Sequence, residues 1–307
     1  MHNLKRTHRH PLHRLLVVLA AGLGIILLAV FSAGRFTTTR SYAWTSSRQI
    51  AEQHSARQHK LIQQQPHNKP ELNTIDKLSP ELAAYLAKLG PDAGLEVYDI
   101  THQRVYAYNG NTAFLTASSI KVPIMLAFFA MTENQGREPD HDEMQLLTAM
   151  IEHSDNDAAS ALFKDIGNAT GLANYLQQIG VKGLEPENGT WGYSQITPQA
   201  MINLLTQLHN GSILTAADRA TALSWMQHVE AEQQWGVGDT APAGATFAMK
   251  NGWVPGPDGL WSVNTSGIVE AGKITYLISV YTREQPSLKA GQAIVQQVCS
   301  SVAASLA

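Results

Sequence analysis

Three short stretches hold the side chains that could do chemistry together. Ser118-Ser119-Ile120-Lys121 sets a hydroxyl and an amine three residues apart at the head of a strongly apolar segment, SSIKVPIMLAFFAMTE. If a helix starts near Ser118, the two side chains share one face. The Ser118 hydroxyl then lies at the positive end of the helix dipole. An unassisted serine hydroxyl is a weak nucleophile and needs an adjacent base. Lysine becomes that base only when its pKa falls, through burial, a helix N-terminus or a second cation. The spacing alone is common in long chains, and the apolar run behind it adds weight.

The second stretch is Ser154-Asp155-Asn156, inside IEHSDNDAASALF. It reads as a helix N-cap. It reads equally as a hydroxyl that relays a proton to a leaving nitrogen, beside an amide that binds a substrate carbonyl. The third is Lys250-Asn251-Gly252, followed by Trp253, on an expected strand. One reading is a surface lysine beside a turn. In the other, Lys250 binds a substrate carboxylate and lowers the proton affinity of Ser154 and Lys121. Gly252 lets backbone and ligand approach closely. The N–H groups of Trp253 and Ser118 then form an oxyanion pair, one such donor being worth about 3 kcal/mol of barrier.

Residues from 118 to 253 can meet only if the chain doubles back. Ser79-Pro80-Glu81 has the pattern of a helix start, and Leu82, Tyr85, Leu86 and Leu89 follow at helical spacing before Gly90-Pro91. GLEVYDI and RVYAYNG alternate and predict an antiparallel hairpin around Thr101-His102-Gln103. A buried helix follows Ala117, then helices over 142–152, 155–166, 170–179, 198–209 and 216–228. Strands are expected over 246–253, 261–269 and 274–282, and a last helix over 287–305. This order implies an α+β domain, with an antiparallel sheet built from both ends of the chain and an inserted all-helical lobe over about 118–230. His141, Asp142 and Glu143 read as a helix start, Met201 and Trp225 as lobe packing, and His153 as a partly exposed neighbour of Ser154.

The chain has 307 residues, with 22 Lys+Arg against 25 Asp+Glu and a net charge of -3. No basic surplus exists for a nucleic-acid partner. Hydrophobic residues make up 44%, enough for a sizeable core. The single cysteine, Cys299, excludes an intrachain disulfide and reads as a buried small hydrophobe beside Val295, Val298 and Val302.

Residues 15–34 carry no charge and follow Lys5, Arg6, Arg9 and Arg14. About 20 apolar residues suffice to span a bilayer as a helix, and the basic flank should stay cytoplasmic. Residues 1–34 are therefore a basic leader with either an uncleaved signal anchor or a cleaved signal peptide. The leader and span length favour the anchor. Residues 35–73, polar and His-rich, read as a linker, and 74–307 as the exported domain. The expected location is membrane-anchored with an extracytoplasmic domain, or secreted if the N-terminus is cut.

The three stretches, in this order, resemble the Ser-x-x-Lys, Ser-Asp-Asn and Lys-Thr-Gly trio of class A β-lactamases and penicillin-binding proteins. The resemblance covers about 90–307, and the KNGW stretch resembles that of β-lactamase-related serine hydrolases. It implies a β-lactamase-like fold in which the antiparallel sheet is flanked by helices. It implies a serine nucleophile at Ser118, Lys121 and Ser154 as proton-transfer groups, and Asn156, Lys250, Asn251, Gly252 and Trp253 as substrate-binding residues. Asn251 stands where the family has threonine; its amide can still donate to a carboxylate. The step from Ser118 to Ser154 is short, which implies a more open cleft. Class A enzymes carry a deacylating glutamate in a Glu-x-x-Leu-Asn pattern. Here Leu184-Glu185-Pro186-Glu187-Asn188 is that pattern with one residue deleted, placing Glu185 as base and Asn188 as its water partner. The alternative is a pair of solvated loop carboxylates. Trp191-Gly192 is expected to anchor this loop. The implied substrate is a small-molecule β-lactam, or alternatively a peptidoglycan stem peptide cleaved by a D,D-peptidase-like enzyme. A tethered wall-binding module without turnover is the third reading. No metal or organic cofactor is implied, and the chain is expected to be a monomer.

Overall fold

The computed structural model describes residues 71–306. The expected leader, apolar run and nearly all of the linker lie outside the described residues. No helix among those described is long and apolar enough to cross a membrane.

The chain enters on β1 (Glu71–Thr74) and α1 (Pro80–Leu89), then forms the hairpin β2 (Ala93–Asp99) and β3 (Arg104–Tyr108). Ser79 caps α1 by accepting from the Leu82 N–H, as the Ser-Pro-Glu sequence predicts. The hairpin pairs Asp99 with Arg104 and Leu95 with Tyr108. β4 (Phe114–Leu115) leads through a 3-10 turn, Ala117–Ile120, into α2 (Lys121–Asn134). Next come α3 (His141–Glu152), α4 (Asn156–Asp165) and α5 (Asn168–Gln178). Two short strands, β5 (Leu184–Glu185) and β6 (Gln195–Ile196), precede α6 (Pro198–Asn210), α7 (Ala216–Gln227) and the one-turn α8 (Val237–Thr240). The chain closes with β7 (Thr246–Pro255), β8 (Trp261–Ala271), β9 (Ile274–Gln285) and α9 (Leu288–Leu306).

The main sheet has the order β1-β3-β2-β9-β8-β7, and a small sheet has the order β4-β6-β5. Every pairing in the main sheet is antiparallel except β1 with β3. Helices α1 and α9 cover one face, where Leu82, Leu86, Val295, Val298, Cys299 and Val302 meet Leu95, Val97 and Val280. The lobe covers the other, where α2 is buried along nearly its whole length. Trp225 stacks on Phe129 at 5.7 Å there, and Met201 is fully buried. This is the expected α+β architecture, with the lobe inserted between the hairpin and the last three strands.

The differences from the sequence reading are local. β1 starts at Glu71, inside the stretch read as linker, and pairs with β3 through its register with Arg104 to Ala107. Edge pairing, rather than the weak β-propensity of ELNT, makes it a strand. The two-residue strands β4 to β6 carry too little pattern to be read from sequence. His141, Asp142 and Glu143 do begin a helix, with Asp140 and Glu143 forming a capping box.

Candidate active site

Three elements hold the turn that carries Ser118. The Thr116 N–H donates to the Ser194 carbonyl at 2.8 Å, tying the turn to the loop before β6. Asn264 on β8 donates from Nδ2 to the carbonyls of Thr116 (3.0 Å) and Leu115 (3.3 Å). Gly252 on β7 packs against the same backbone: a Cβ there would sit 2.8 Å from Ser118 N. Ala117 is pulled into the left-handed region, φ 44°, a strained state typical of functional turns. In the 3-10 turn that follows, residues three apart eclipse. The i,i+3 spacing of Ser118 and Lys121 therefore aims the amine at the hydroxyl, more directly than the expected α-turn would.

Lys121 is fully buried. Its Nζ lies 3.1 Å from Ser118 Oγ and 3.0 Å from Ser154 Oγ. It also lies 2.6 Å from the Ser154 carbonyl and 2.8 Å from Asn156 Oδ1. The carbonyl and the amide oxygen can only accept. A neutral amine gives each of them one N–H and turns its lone pair to the hydroxyls. Burial pushes the Lys121 pKa down to about 7, with the Asp155 carboxylate opposing the shift. Within the site this geometry brings a second non-glycine left-handed residue beside Ala117, Ser154 at φ 56°. Asp155, rather than Ser154, is the N-cap of α4, accepting from the Ala158 N–H at 2.7 Å. The capping reading of this motif is seen at Asp155, and it leaves the Ser154 hydroxyl beside Lys121. Asn156, with Oδ1 on Lys121, also lines the cleft.

Lys250 is also fully buried. Its Nζ donates to the Asn251 carbonyl at 3.3 Å. Burial holds its pKa well below the usual lysine range. The Lys121 ammonium pushes the same way, and Glu230 opposes. The two amines thus sense each other across the site. Asn251 requires a correction. Side chains alternate along a strand, so with Lys250 facing the lobe, Asn251 faces away. Its Nδ2 donates to the carbonyls of Gln233 (2.6 Å) and Trp235 (2.8 Å), leaving no N–H for a substrate. Asn251 braces the strand and does not bind in the cleft.

Ser118, Asn156, Trp253 and Val254 line a cleft of about 290 Å³ whose far wall is the loop from Gly189 to Tyr193. The Trp191 ring sits over Lys121, 5.1 Å from Nζ to its centroid, and its Nε1 donates to Ser160 Oγ at 3.1 Å. Tyr193 OH donates to the Pro255 carbonyl at 3.0 Å, bridging this loop to the end of β7. The Trp191-Gly192 anchor was expected; the Tyr193 bridge and the Asn264 brace were not. Asn264 was detectable in principle, because Asn264-Thr265-Ser266 is a polar run in the middle of a largely apolar strand.

Glu185 is not brought to this cluster. It lies exposed on β5, paired with Gln195, and neither lines the cleft nor contacts Lys121. Among the described residues its carboxylate makes no hydrogen bond. Asn188 is likewise exposed. The solvated-loop reading of this segment matches what is seen, and Trp191 takes the place beside Lys121.

A family model described as the Beta-lactamase enzyme family matches residues 77–144 and 140–306. Beta-lactamase AER-1 of Aeromonas hydrophila is 32% identical over 117 residues, 35% of this chain and 38% of that protein. Beta-lactamase CARB-3 of Pseudomonas aeruginosa is 24% identical over 212 residues, 58% of this chain and 73% of that protein. The match thus spans about two fifths of the first relative's length and nearly three quarters of the second's. The TLA-1 extended-spectrum β-lactamase structure superposes with a TM-score of 0.68 at 19% identity, over 75% of this chain and 98% of that one. A PBP-A variant, solved as an acyl-enzyme complex with penicillin G, gives 0.66 at 20% identity over 76% and 98%. At these identities the structural likeness concerns the fold.

Proposed function

Because the chain belongs to the β-lactamase enzyme family, we propose that it is a serine acyl hydrolase that opens β-lactam amides through an acyl-enzyme on Ser118. The observation that carries this reading is the Lys121 amine, buried and within hydrogen-bond reach of both Ser118 Oγ and Ser154 Oγ. Neutral Lys121 takes the Ser118 proton as Oγ attacks the ring carbonyl. The Ser118 and Trp253 N–H groups hold the oxyanion. As the C–N bond breaks, Ser154 gives its proton to the departing nitrogen and is resupplied by Lys121. Lys121 ends neutral, ready to act on water. Lys250 stays behind the cluster, its proton affinity held down by burial. The basic leader and apolar run support a membrane-tethered, extracytoplasmic enzyme.

Acylation is better equipped than hydrolysis of the acyl-enzyme. An aromatic ring, not a carboxylate, covers Lys121. This observation favours a second reading for the natural substrate: a D,D-peptidase-like enzyme that acts on peptidoglycan stem peptides and holds β-lactams as long-lived adducts.

Intact-mass spectrometry after a penicillin pulse tests both readings. A one-penicillin adduct on the wild type, absent in Ser118→Ala, is expected. The absence of both an adduct and hydrolysed penicillin at every concentration would overturn the proposal. Release within seconds supports β-lactam hydrolysis; persistence for many minutes, with cleavage of a D-Ala-D-Ala peptide, supports the second reading.

A further inference from the structure

The turn that carries Ser118 lies across one row of the main sheet. Strand pairing sets Gly94 of β2 opposite Tyr281 of β9, Tyr281 opposite Asn264 of β8, and Asn264 opposite Gly252 of β7. Directly opposed residues share a face. Each of the four meets the segment 114–119. A Cβ on Gly94 would lie 2.5 Å from the Phe114 ring, and one on Gly252 would lie 2.8 Å from Ser118 N. Asn264 donates to the Leu115 and Thr116 carbonyls. Tyr281 stacks on Phe114 at 6.0 Å between centroids, and its OH lies 3.0 Å from Ser119 Oγ. The row thus has glycines where the chain presses closest and two hydrogen-bonding side chains between them.

The bond between Tyr281 and Ser119 has a direction. Ser119 Oγ gives its one proton to the Thr116 carbonyl at 2.7 Å, so the phenol donates and the serine accepts. Both residues are fully buried. Burial pushes the Tyr281 pKa up to about 12, with Ser119 and Ser266 opposing the shift, and the phenol keeps its proton across the neutral range. The Thr116 carbonyl receives Ser119 Oγ, the Ser119 N–H at 3.0 Å and Asn264 Nδ2 at 3.0 Å. The peptide that follows leads into Ala117, held left-handed at φ 44°. A strained residue of this kind persists only where its surroundings over-determine it. Tyr281 adds one bond to that support without lining the cleft.

We propose that Tyr281 is a positioning residue for the acylation of Ser118: its hydroxyl holds Ser119, Ser119 holds the Thr116 carbonyl, and the strained turn between them aims the Ser118 N–H and Oγ. No group is transferred along this chain. Without the phenolic O–H, Ser119 Oγ loses the donor that fixes its rotamer, and the turn gains room to relax at Ala117.

This inference rests on the acylation reading, so its test has two arms. In the first, acylation is followed by stopped flow against penicillin concentration, which separates the limiting rate from the half-saturating concentration. Tyr281→Phe keeps the stacked ring and should lower the limiting rate about tenfold, the weight of one hydrogen bond, with half-saturation within about twofold of wild type. Ser119→Ala should do the same, and the double variant should be no slower than the slower single one, because both cut the same chain. Tyr175→Phe, which removes a buried phenol of the lobe that has no partner, should acylate like wild type. A limiting rate within about twofold of wild type in Tyr281→Phe, or losses that add in the double variant, overturns the proposal. If Tyr281→Phe does not fold, the limiting rate of Ser119→Ala decides by the same measure. The second arm needs no acylation. Amide hydrogen exchange read by mass spectrometry should show peptides over 114–121 exchanging roughly tenfold faster in Tyr281→Phe, with α9 and α3 to α5 unchanged. If penicillin never acylates Ser118, the functional reading fails and exchange alone decides whether Tyr281 holds the turn. Exchange that is unmoved, or faster equally across the whole domain, overturns it.

Discussion

Replacing Gly252 with alanine puts a methyl group where three polar atoms already stand. The new Cβ would lie 2.8 Å from Ser118 N, Thr116 O and Asn264 Oδ1. Ordinary contact begins near 3.4 Å, so about 0.6 Å must be found. None of the three yields easily. Thr116 O accepts from the Ser119 N–H at 3.0 Å and from Ser119 Oγ at 2.7 Å. The Asn264 amide is tied to Thr116 and Leu115, and Ser118 N is main chain, fixed in the turn. Either β7 moves outward, taking Trp253 with it, or the turn moves and Ser118 leaves the Lys121 amine. Overpacking of this kind costs about 1–3 kcal/mol of stability. For a domain of this size that is roughly 2–10 °C in thermal midpoint. A catalytic group displaced by about half an ångström is at the edge of productive geometry, and 1 Å can cost about a hundredfold. Adduct formation with a fluorescent penicillin should therefore slow by roughly 10- to 100-fold in stopped-flow traces. Gly252→Ala acylating within a factor of two of wild type, at an unchanged melting temperature, would refute the reasoning about this contact.

Acylation should fall as pH drops through about 7, where the Lys121 amine gains its proton; Lys121→Met should lose roughly a thousandfold in rate and the limb with it. Because that amine titrates below its unfolded value, the unfolded chain binds more protons between about 7 and the ordinary lysine range. Urea melts should show stability rising with pH over that window, less steeply in Lys121→Met. Glu185→Gln should change adduct release by less than about twofold, as suits a carboxylate outside the cluster; a hundredfold slowing would restore it as the base. Asn251→Ala should lower the melting temperature by a few degrees, since Gln233 and Trp235 lose their donors. Its acylation rate should stay within about threefold. Glu133 in the lobe is raised to about 7 by burial and by the neighbouring Asp218 carboxyl. Its contribution is present below the unfolded carboxylate pKa and lost as pH rises through 7. Glu133→Gln, which keeps an oxygen for the Thr215 N–H, should recover up to about 3 kcal/mol of that loss in melts at pH 8.

What the sequence made legible follows from where its constraints are local. The lobe helices and closing strands announce themselves through apolar period and caps. Ser118 and Lys121 are joined by a single turn, so their meeting needs no tertiary knowledge. Lys250 could be placed by its motif, but the fate of Asn251 depended on which face of β7 the lobe would cover. Period-two alternation forces neighbouring residues to opposite faces, so a substrate role for both Lys250 and Asn251 side chains was in tension from the start. Glu185 failed differently. Its motif fixes spacing along a loop, whereas the loop's path is set by β5 pairing with β6 and by Trp191 lodging over Lys121. The deleted residue in that motif and the tryptophan a few positions on belong to one structural fact: the loop turns a ring, rather than an acid, toward the amine. A ring there excludes water from Lys121 and sustains its low proton affinity, which serves the attack by Ser118. The same ring leaves the later hydrolytic water without a carboxylate. On the proposed acyl-enzyme reading, efficient capture and slow release would be two consequences of one side chain and would change together.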